Sequence, residues 1–264
     1  MAQSEWGRIV LEEDFSSALA ATITDATEYR YGKFRMAAIS GDVAADIVVD
    51  EGNGVATFSG AGGAADGIAL YTLPFIPAYN GTMTVEARWK SSVVTDYRSF
   101  LGFQQTVSVA EPVNPFTLSS TTLTANNGGE VFGLYFDAQA TTDDVRMMSS
   151  TAGVADTTAI NADTGSALGA LGVRANGTVT ADSWQYGRVE IDPDGACRAY
   201  YGDVGNDPNN TGPKRVGSIK AGVLSATAAL HPMLLLACHS TGDPLFHVDF
   251  IRVTAYRDWR YSTP

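Results

Sequence analysis

Cysteine is nearly missing from this chain, with two residues, Cys197 and Cys238, among 264. Both lie in strand-like apolar sequence, which predicts buried, reduced thiols rather than a scaffold framed by crosslinks. Basic clusters are missing as well: no more than two Lys or Arg are adjacent, and 17 of them face 29 Asp and Glu, a net charge of −12. Nucleic acid and anionic membrane surfaces are therefore poor partners, and the acidity reads as solubility. The longest uncharged apolar run, Pro232 to Cys238, falls far short of the roughly 20 residues a spanning helix needs. The opening MAQSEWGRIVLEED lacks the basic-then-apolar pattern of a secretory signal. Without one, the sequons at Asn80, Asn176 and Asn209 are expected to be ordinary turns. There is no heptad pattern, internal repeat, low-complexity tail or linker, so residues 1–264 read as one domain. Nucleophile elbows, phosphate loops and dinucleotide fingerprints are also absent.

What is present is strand. Hydrophobic residues make up 45% of the chain and glycine is abundant, a mixture suited to short strands and many turns. The closing stretch Leu245–Tyr256 (LFHVDFIRVTAY) is the densest β pattern. Its apolar residues change parity between Phe246/Val248/Phe250 and Ile251/Val253/Ala255, so either both faces are covered or a bulge near Phe250 shifts the inward side. Arg8–Phe15 is a second apolar strand near the other end, and its open edge requires pairing. Pairing the two would place both terminal strands in one sandwich.

Between them, Ser16–Tyr31 reads as a short helix or surface loop. Asp46–Val49 and Val55–Phe58 read as a hairpin across Gly52-Asn53-Gly54, and Ile68–Leu73 as a strand stopped by Pro74 and Pro77. The cleanest alternation puts Met83, Val85, Ala87 and Trp89 on one face and Thr82, Thr84, Glu86 and Arg88 on the other. Ser99–Gln104 is a strand, and Glu130–Asp137 with Val145–Ser149 an adjacent pair. Thr106–Asn127 reads as a long loop with at most a brief strand, and Thr151–Ala170 as a second polar excursion. Both are candidate contact surfaces. Trp184–Asp203 is the best hairpin, turning at Asp192-Pro193-Asp194-Gly195 with Val189, Ile191, Cys197, Ala199 and Tyr201 inward.

Several of these pieces, in this order, resemble the concanavalin A-like lectin/glucanase jelly rolls, particularly laminin-G-like and laminarinase-like members. They are EEDF, TMTVEARWK, EVFGLYFD, W-x-x-G-R-V-E-I with DPDG and AYYGD, and the closing VDFIRVTAY. The resemblance covers most of the chain. It implies an all-β sandwich of two antiparallel sheets, with the N- and C-terminal strands in the same sandwich. That fold hosts lectins, glycosidases, adhesion modules and viral coat parts, so it leaves function open.

Laminarinase-like enzymes carry alternating acids on one strand, and Glu190-Ile191-Asp192 matches the start of that pattern. The second catalytic Glu is missing, and Pro193-Asp194-Gly195 turns the chain where the strand should continue, so no catalytic residue is expected. His231, His239 and His247 recur every eight residues without a short-spaced ligand pair, and Asp203–Asn210 lacks the closing acid of a calcium loop. No metal or cofactor is expected. Tyr29, Tyr31, Tyr71, Tyr79, Tyr97, Trp259 and Tyr261 are candidates for a glycan platform, with sandwich packing the competing use. The terminal Tyr256, Arg257, Trp259, Arg260 and Tyr261 combine the residue types that dominate protein interfaces.

These features together resemble a bacteriophage virion component, assembled in the host cytoplasm. The leading expectation is a non-enzymatic capsid decoration or tail accessory protein that contacts major capsid or other virion proteins and forms a homo-oligomer. The alternatives are a lectin-like module that recognises host glycans and, behind it, a degenerate laminarinase-like glycosidase.

Overall fold

The computed structural model describes residues 7–17, 19–25, 27–47, 54–60, 66–107, 114–119, 122–126, 129–139, 144–151, 154–155, 160–162, 173–203, 213–221, 224–239 and 244–256. Within them the chain is strand after strand. The first half runs β1 (Arg8–Glu13), β2 (Ala20–Ile23), β3 (Glu28–Tyr31), β4 (Phe34–Ile39), β5 (Val43–Ile47), β6 (Ala56–Gly60) and β7 (Gly67–Tyr71), then one helical turn, α1 (Pro77–Asn80). After it come β8 (Met83–Ser91), β9 (Tyr97–Gln104), β10 (Phe116–Ser119), β11 (Thr122–Ala125), β12 (Val131–Asp137), β13 (Asp144–Thr151), β14 (Val154–Ala155) and β15 (Ile160–Ala162). The last six are β16 (Val173–Thr178), β17 (Gln185–Ile191), β18 (Cys197–Asp203), β19 (Lys214–Ile219), β20 (His231–Cys238) and β21 (Leu245–Tyr256). No described helix is long and apolar enough to cross a membrane.

The strands form two antiparallel sheets. The first has the order β15-β19-β18-β17-β8-β21-β6-β5-β2, with β1 also on β21; the second is β14-β13-β12-β9-β20-β7-β4-β3, with β16 on β13. Strand β21 holds the first sheet together. One edge pairs along β8, and the other carries β6 on its first half and β1 on its second, with Arg8 opposite Tyr256 and Glu13 opposite Ile251. The two terminal strands therefore share one sheet, as the closure argument expects.

The register between β21 and β8 slips at Asp249, the extra residue between Val248 and Phe250. Before it Phe246 and Val248 point inward; after it Ile251, Val253 and Ala255 do. A bulge is the reason the parity changes, since one added residue moves every later side chain to the opposite face. Phe250, which shares parity with Val248, consequently faces out.

The main core lies between the sheets. Met83, Val85, Ala87 and Trp89 of β8 meet Leu101 and Phe103 of β9, Leu134 and Phe136 of β12, and Leu234 and Leu236 of β20. At Gly187 of β17 a Cβ would sit 2.6 Å from Leu101 and 3.0 Å from both Leu134 and Trp89, so the second sheet reaches into the space a side chain would take. Burial of each large side chain contributes about 1.5–3 kcal/mol before entropy is counted.

A second cluster covers the other side of the second sheet: Ala69, Tyr71, Phe100, Tyr135, Met148, Met233 and Leu235, closed over by Phe116. Two registered glycines, Gly102 and Gly133, leave the slot the Phe100 ring fills, because a Cβ on either would lie within 2.8 Å of that ring. The centre of this sheet is thus buried on both faces, which is why β12 and β20 read as largely continuous apolar runs rather than alternations.

Several sequence expectations are corrected here. Ser16–Tyr31 holds neither helix nor plain loop but strands β2 and β3, its small residues packing as edge strands. Phe34–Ile39, whose Ala and Met give it no β-branched density before Ile39, is strand β4. Thr106–Asn127 is more than a loop: β10 and β11 pair as a hairpin, and Phe116 is inserted into the second cluster. That residue is wholly buried and offers no contact surface. The sequon at Asn176 lies within β16, not in a turn. The Asn80 sequon does follow a turn, at the end of α1, while the Asn209 sequon and the Asp203–Asn210 loop beyond Asp203 lie outside the described residues.

Candidate functional site

An exposed antiparallel face is expected to alternate polar residues outward. The outward face of the first sheet departs from that. Along β17 the inward parity is Gln185, Gly187, Val189 and Ile191, so Trp184, just before the strand, lies on the same side as Tyr186, Arg188 and Glu190. The chain then turns at Asp192–Gly195, where Gly195 N–H donates to Asp192 O at 2.9 Å and Gly195 takes a φ of +81° that favours glycine. On the returning β18, Cys197, Ala199 and Tyr201 point in, and Arg198 and Tyr200 point out. The bulge at Asp249 adds Phe250 from β21. Four half-buried aromatics, Trp184, Tyr186, Tyr200 and Phe250, therefore lie on the solvent side of one sheet.

Charged groups hold these rings in place. Arg88 and Lys90 of β8 lie 4.4 and 4.7 Å from the centre of the Trp184 ring, a cation–π geometry. Tyr186 and Phe250 are 6.1 Å apart, and Arg188 lies 5.9 Å from the Tyr200 ring. The Tyr186 hydroxyl donates to Glu86, which also binds Arg252. Burial and the Glu86 charge push the Tyr186 hydroxyl well above its ordinary pKa, so it remains a donor. Arg88 pairs with Asp249 at 2.9 Å.

The Glu190–Asp192 pair lies on this same face. Arg198 reaches Glu190 at 2.8 Å and both oxygens of Asp192 at 2.6 and 2.9 Å, while Arg188 takes the other Glu190 oxygen and Thr82 donates to Asp192 at 3.0 Å. The Arg198 hydrogen bonds hold the Asp192 carboxyl below its usual range despite partial burial. A general acid requires the opposite shift. This arrangement ties both carboxyl groups to arginines in one network; its chemistry is recognition through charge and hydrogen bonds.

The histidines do not converge. His231 begins β20 with Nδ1 2.9 Å from Thr72 O, His239 places Nε2 3.2 Å from Asp137, and His247 of β21 lies 3.3 Å from Thr57. Among the described residues no group of three or more His, Cys, Asp and Glu could hold a metal. Cys197 and Cys238 are buried and unpaired with each other, and burial raises both thiols.

The glycan-platform tyrosines are scattered. Tyr31 stacks on Phe15 at 5.8 Å, and Tyr97 is in the core accepting the Trp89 indole N–H at 2.8 Å. Tyr71 is buried, its hydroxyl donating to Glu28 beside Arg35. Only Tyr29 and Tyr79 of the described set are exposed. In the terminal group, Tyr256 ends β21 opposite Arg8, 39% exposed, its ring against Gly81 and its carbonyl accepting from Asn80. Arg257, Trp259, Arg260 and Tyr261 lie outside the described residues.

The aromatics that do gather, Trp184, Tyr186, Tyr200 and Phe250, were not among the candidates. Two of them were within reach of the sequence, because parity along WQYGRVEI sends Trp184 and Tyr186 outward once Val189 and Ile191 point in. Phe250 required the bulge.

No family model and no curated protein sequence matches the chain. Solved structures do. A protein of unknown function from Shewanella oneidensis MR-1 superposes with a TM-score of 0.56 at 12% identity, over 98% of this chain and 90% of that one. Peanut lectin with a nine-residue peptide gives 0.54 at 10% identity, over 94% and 97%. The carbohydrate recognition domain of Emp47p gives 0.51 at 12% identity, over 96% and 98%. Identities this low establish the fold alone: two antiparallel sheets in a lectin-type, concanavalin A-like jelly roll.

Proposed function

We propose that this chain is a non-enzymatic glycan-binding module that uses the outward face of its first sheet. The observation that carries the proposal is the set Trp184, Tyr186, Tyr200 and Phe250, half-buried on a solvent face and held by arginines and carboxylates. Pyranose rings present flat C–H faces that pack on aromatic rings, and their hydroxyls bond to carboxylates and guanidiniums held in fixed positions. Rings and charges fixed before binding lose little entropy when a sugar arrives. The jelly roll shared with peanut lectin and the Emp47p domain is consistent with this use without dictating it. Against hydrolysis stand the ion pairs that occupy Glu190 and Asp192.

The expectation of a virion structural role draws no support from the compared folds, so the glycan reading takes precedence. Aromatics interleaved with arginines are also the composition of protein interfaces, which makes a protein partner the competing result.

Glycan-array screening followed by calorimetry tests the proposal. Wild-type protein should bind at least one oligosaccharide class without releasing reducing ends. Trp184→Ala and Tyr186→Ala should each weaken that binding about thirtyfold, as loss of a central aromatic costs about 2 kcal/mol. Tyr29→Ala and Tyr79→Ala should leave it unchanged. Absence of any glycan binding, or equal binding by all four variants, overturns the proposal.

A further inference from the structure

The outward face of the first sheet is densely charged along its central strands. On β8, β17 with its turn, β18 and β21 it presents five basic side chains, Arg88, Lys90, Arg188, Arg198 and Arg252. Against them stand four acids, Glu86, Glu190, Asp192 and Asp249. Each acid is taken: Glu86 by Arg252, Glu190 by Arg188 and Arg198, Asp192 by Arg198, and Asp249 by Arg88. Lys90 is the base left over, with no acid beside it among the described residues; its ammonium lies against the Trp184 ring, 4.7 Å from the centre. Arg88 is 4.4 Å from the same ring with an Nε that is buried and without a hydrogen-bond partner, and His247 is registered directly opposite Lys90.

The ring beside Lys90 takes up none of its charge by ion pairing, so the ammonium is free to donate to an incoming anion while the aromatics beside it supply apolar contact. We infer that the Trp184–Lys90 corner selects acidic glycans: sugars bearing a carboxylate or sulfate, whose ring packs on the Trp184, Tyr186 and Phe250 platform while the anion reaches Lys90. The inference rests on the glycan-binding reading above and adds the ligand's charge to it.

The test uses full-length protein and matched oligosaccharide pairs that differ only in the acidic group: glucuronate against glucose residues, and sulfated against unsulfated galactose residues. Calorimetry or ligand-observed NMR at low and at physiological salt reads the affinities. The acidic member of at least one pair should bind about tenfold tighter, the worth of one charge-assisted hydrogen bond. That advantage should shrink with salt. The two pairs separate carboxylate from sulfate selectivity. Lys90→Met, which keeps the apolar stem over Trp184, should abolish the preference while retaining neutral-sugar binding, and Lys90→Arg should restore it. Equal affinity for both members of both pairs, or a preference that survives Lys90→Met, overturns the inference and leaves the glycan reading in place. Binding of neither member of either pair also overturns the inference, while the glycan reading itself falls only if the glycan array shows no binding at all.

Discussion

His231 illustrates how a single side chain responds to its burial. Its Nδ1 is 2.9 Å from the Thr72 carbonyl, which can only accept, so Nδ1 carries the proton and donates. Burial lowers its pKa from the ordinary 6.5, the Thr72 bond acts against that, and the Arg35 charge lowers it further. A group depressed in the folded state binds its second proton more readily when unfolded. Its contribution is therefore intact above about pH 6.5 and lost as pH falls through that value toward the folded pKa. Thermal midpoints measured from about pH 7.5 to about pH 5 should fall for wild type. In His231→Asn, whose amide still donates to Thr72, that acid-side loss should be smaller. Parallel curves for the two proteins would show that His231 does not carry this sensitivity. Glu28 nearby moves in the same protective sense: burial raises it, but hydrogen bonds from Arg35 and Tyr71 and the Arg35 charge outweigh that.

At the level of elements the bulge in β21 decides which faces the closing strand presents. Asp249 is the inserted residue, and it also pairs with Arg88 at 2.9 Å. Those two roles separate cleanly. Asp249→Ala keeps the bulge and removes a partly exposed ion pair, a cost under about 1 kcal/mol in urea denaturation. Deleting Asp249 removes the extra residue and leaves Val248 opposite Trp89, Phe250 opposite Arg88 and Ile251 opposite Ala87 in unbroken alternation, so it should cost little beyond the same ion pair. A second residue inserted after Asp249 should instead cost several kcal/mol by driving the inward set out of register. A deletion far less stable than Asp249→Ala would sink the assignment of the bulge. The β10–β11 hairpin is the second element whose placement matters. The Tyr135 hydroxyl lies 2.6 Å from Asp137 and 2.9 Å from the Phe116 carbonyl, tying the hairpin to the second sheet while Phe116 fills the apolar cluster. Phe116, in a stretch that reads as a contact loop, is in this way taken into the fold.

At the scale of the molecule, β21 is the strand on which three others depend, pairing β8 on one side and β6 and β1 on the other. A chain ending before Leu245 should lose the centre of the first sheet, expose the apolar edges of β8 and β6, and partition into the insoluble fraction on expression. Recovery of a soluble, cooperatively melting truncation would contradict that dependence. Much of this architecture was legible beforehand. Alternation in β8, the Asp192–Gly195 turn and the two terminal strands each follow from period-two patterning and turn chemistry, which are local. Strands β2 and β4 were missed because small and Ala-rich sequence has weak strand preference; what makes them strands is the neighbours they pair with, β5 for one, β3 and β7 for the other.

The sequence by itself determined the all-β class and the inward sets of β8, β17 and β18, because each is written in spacing along the chain. Tertiary structure alone decided which face became the candidate site. Trp184, Arg88, Lys90, Tyr200 and Phe250 come from four separated strand regions. Their convergence depends on strand order and on one bulged residue, and Phe116 closes the opposite sheet. Sheet register is set by backbone pairing between distant segments, and no local pattern specifies which outward residues will end up side by side.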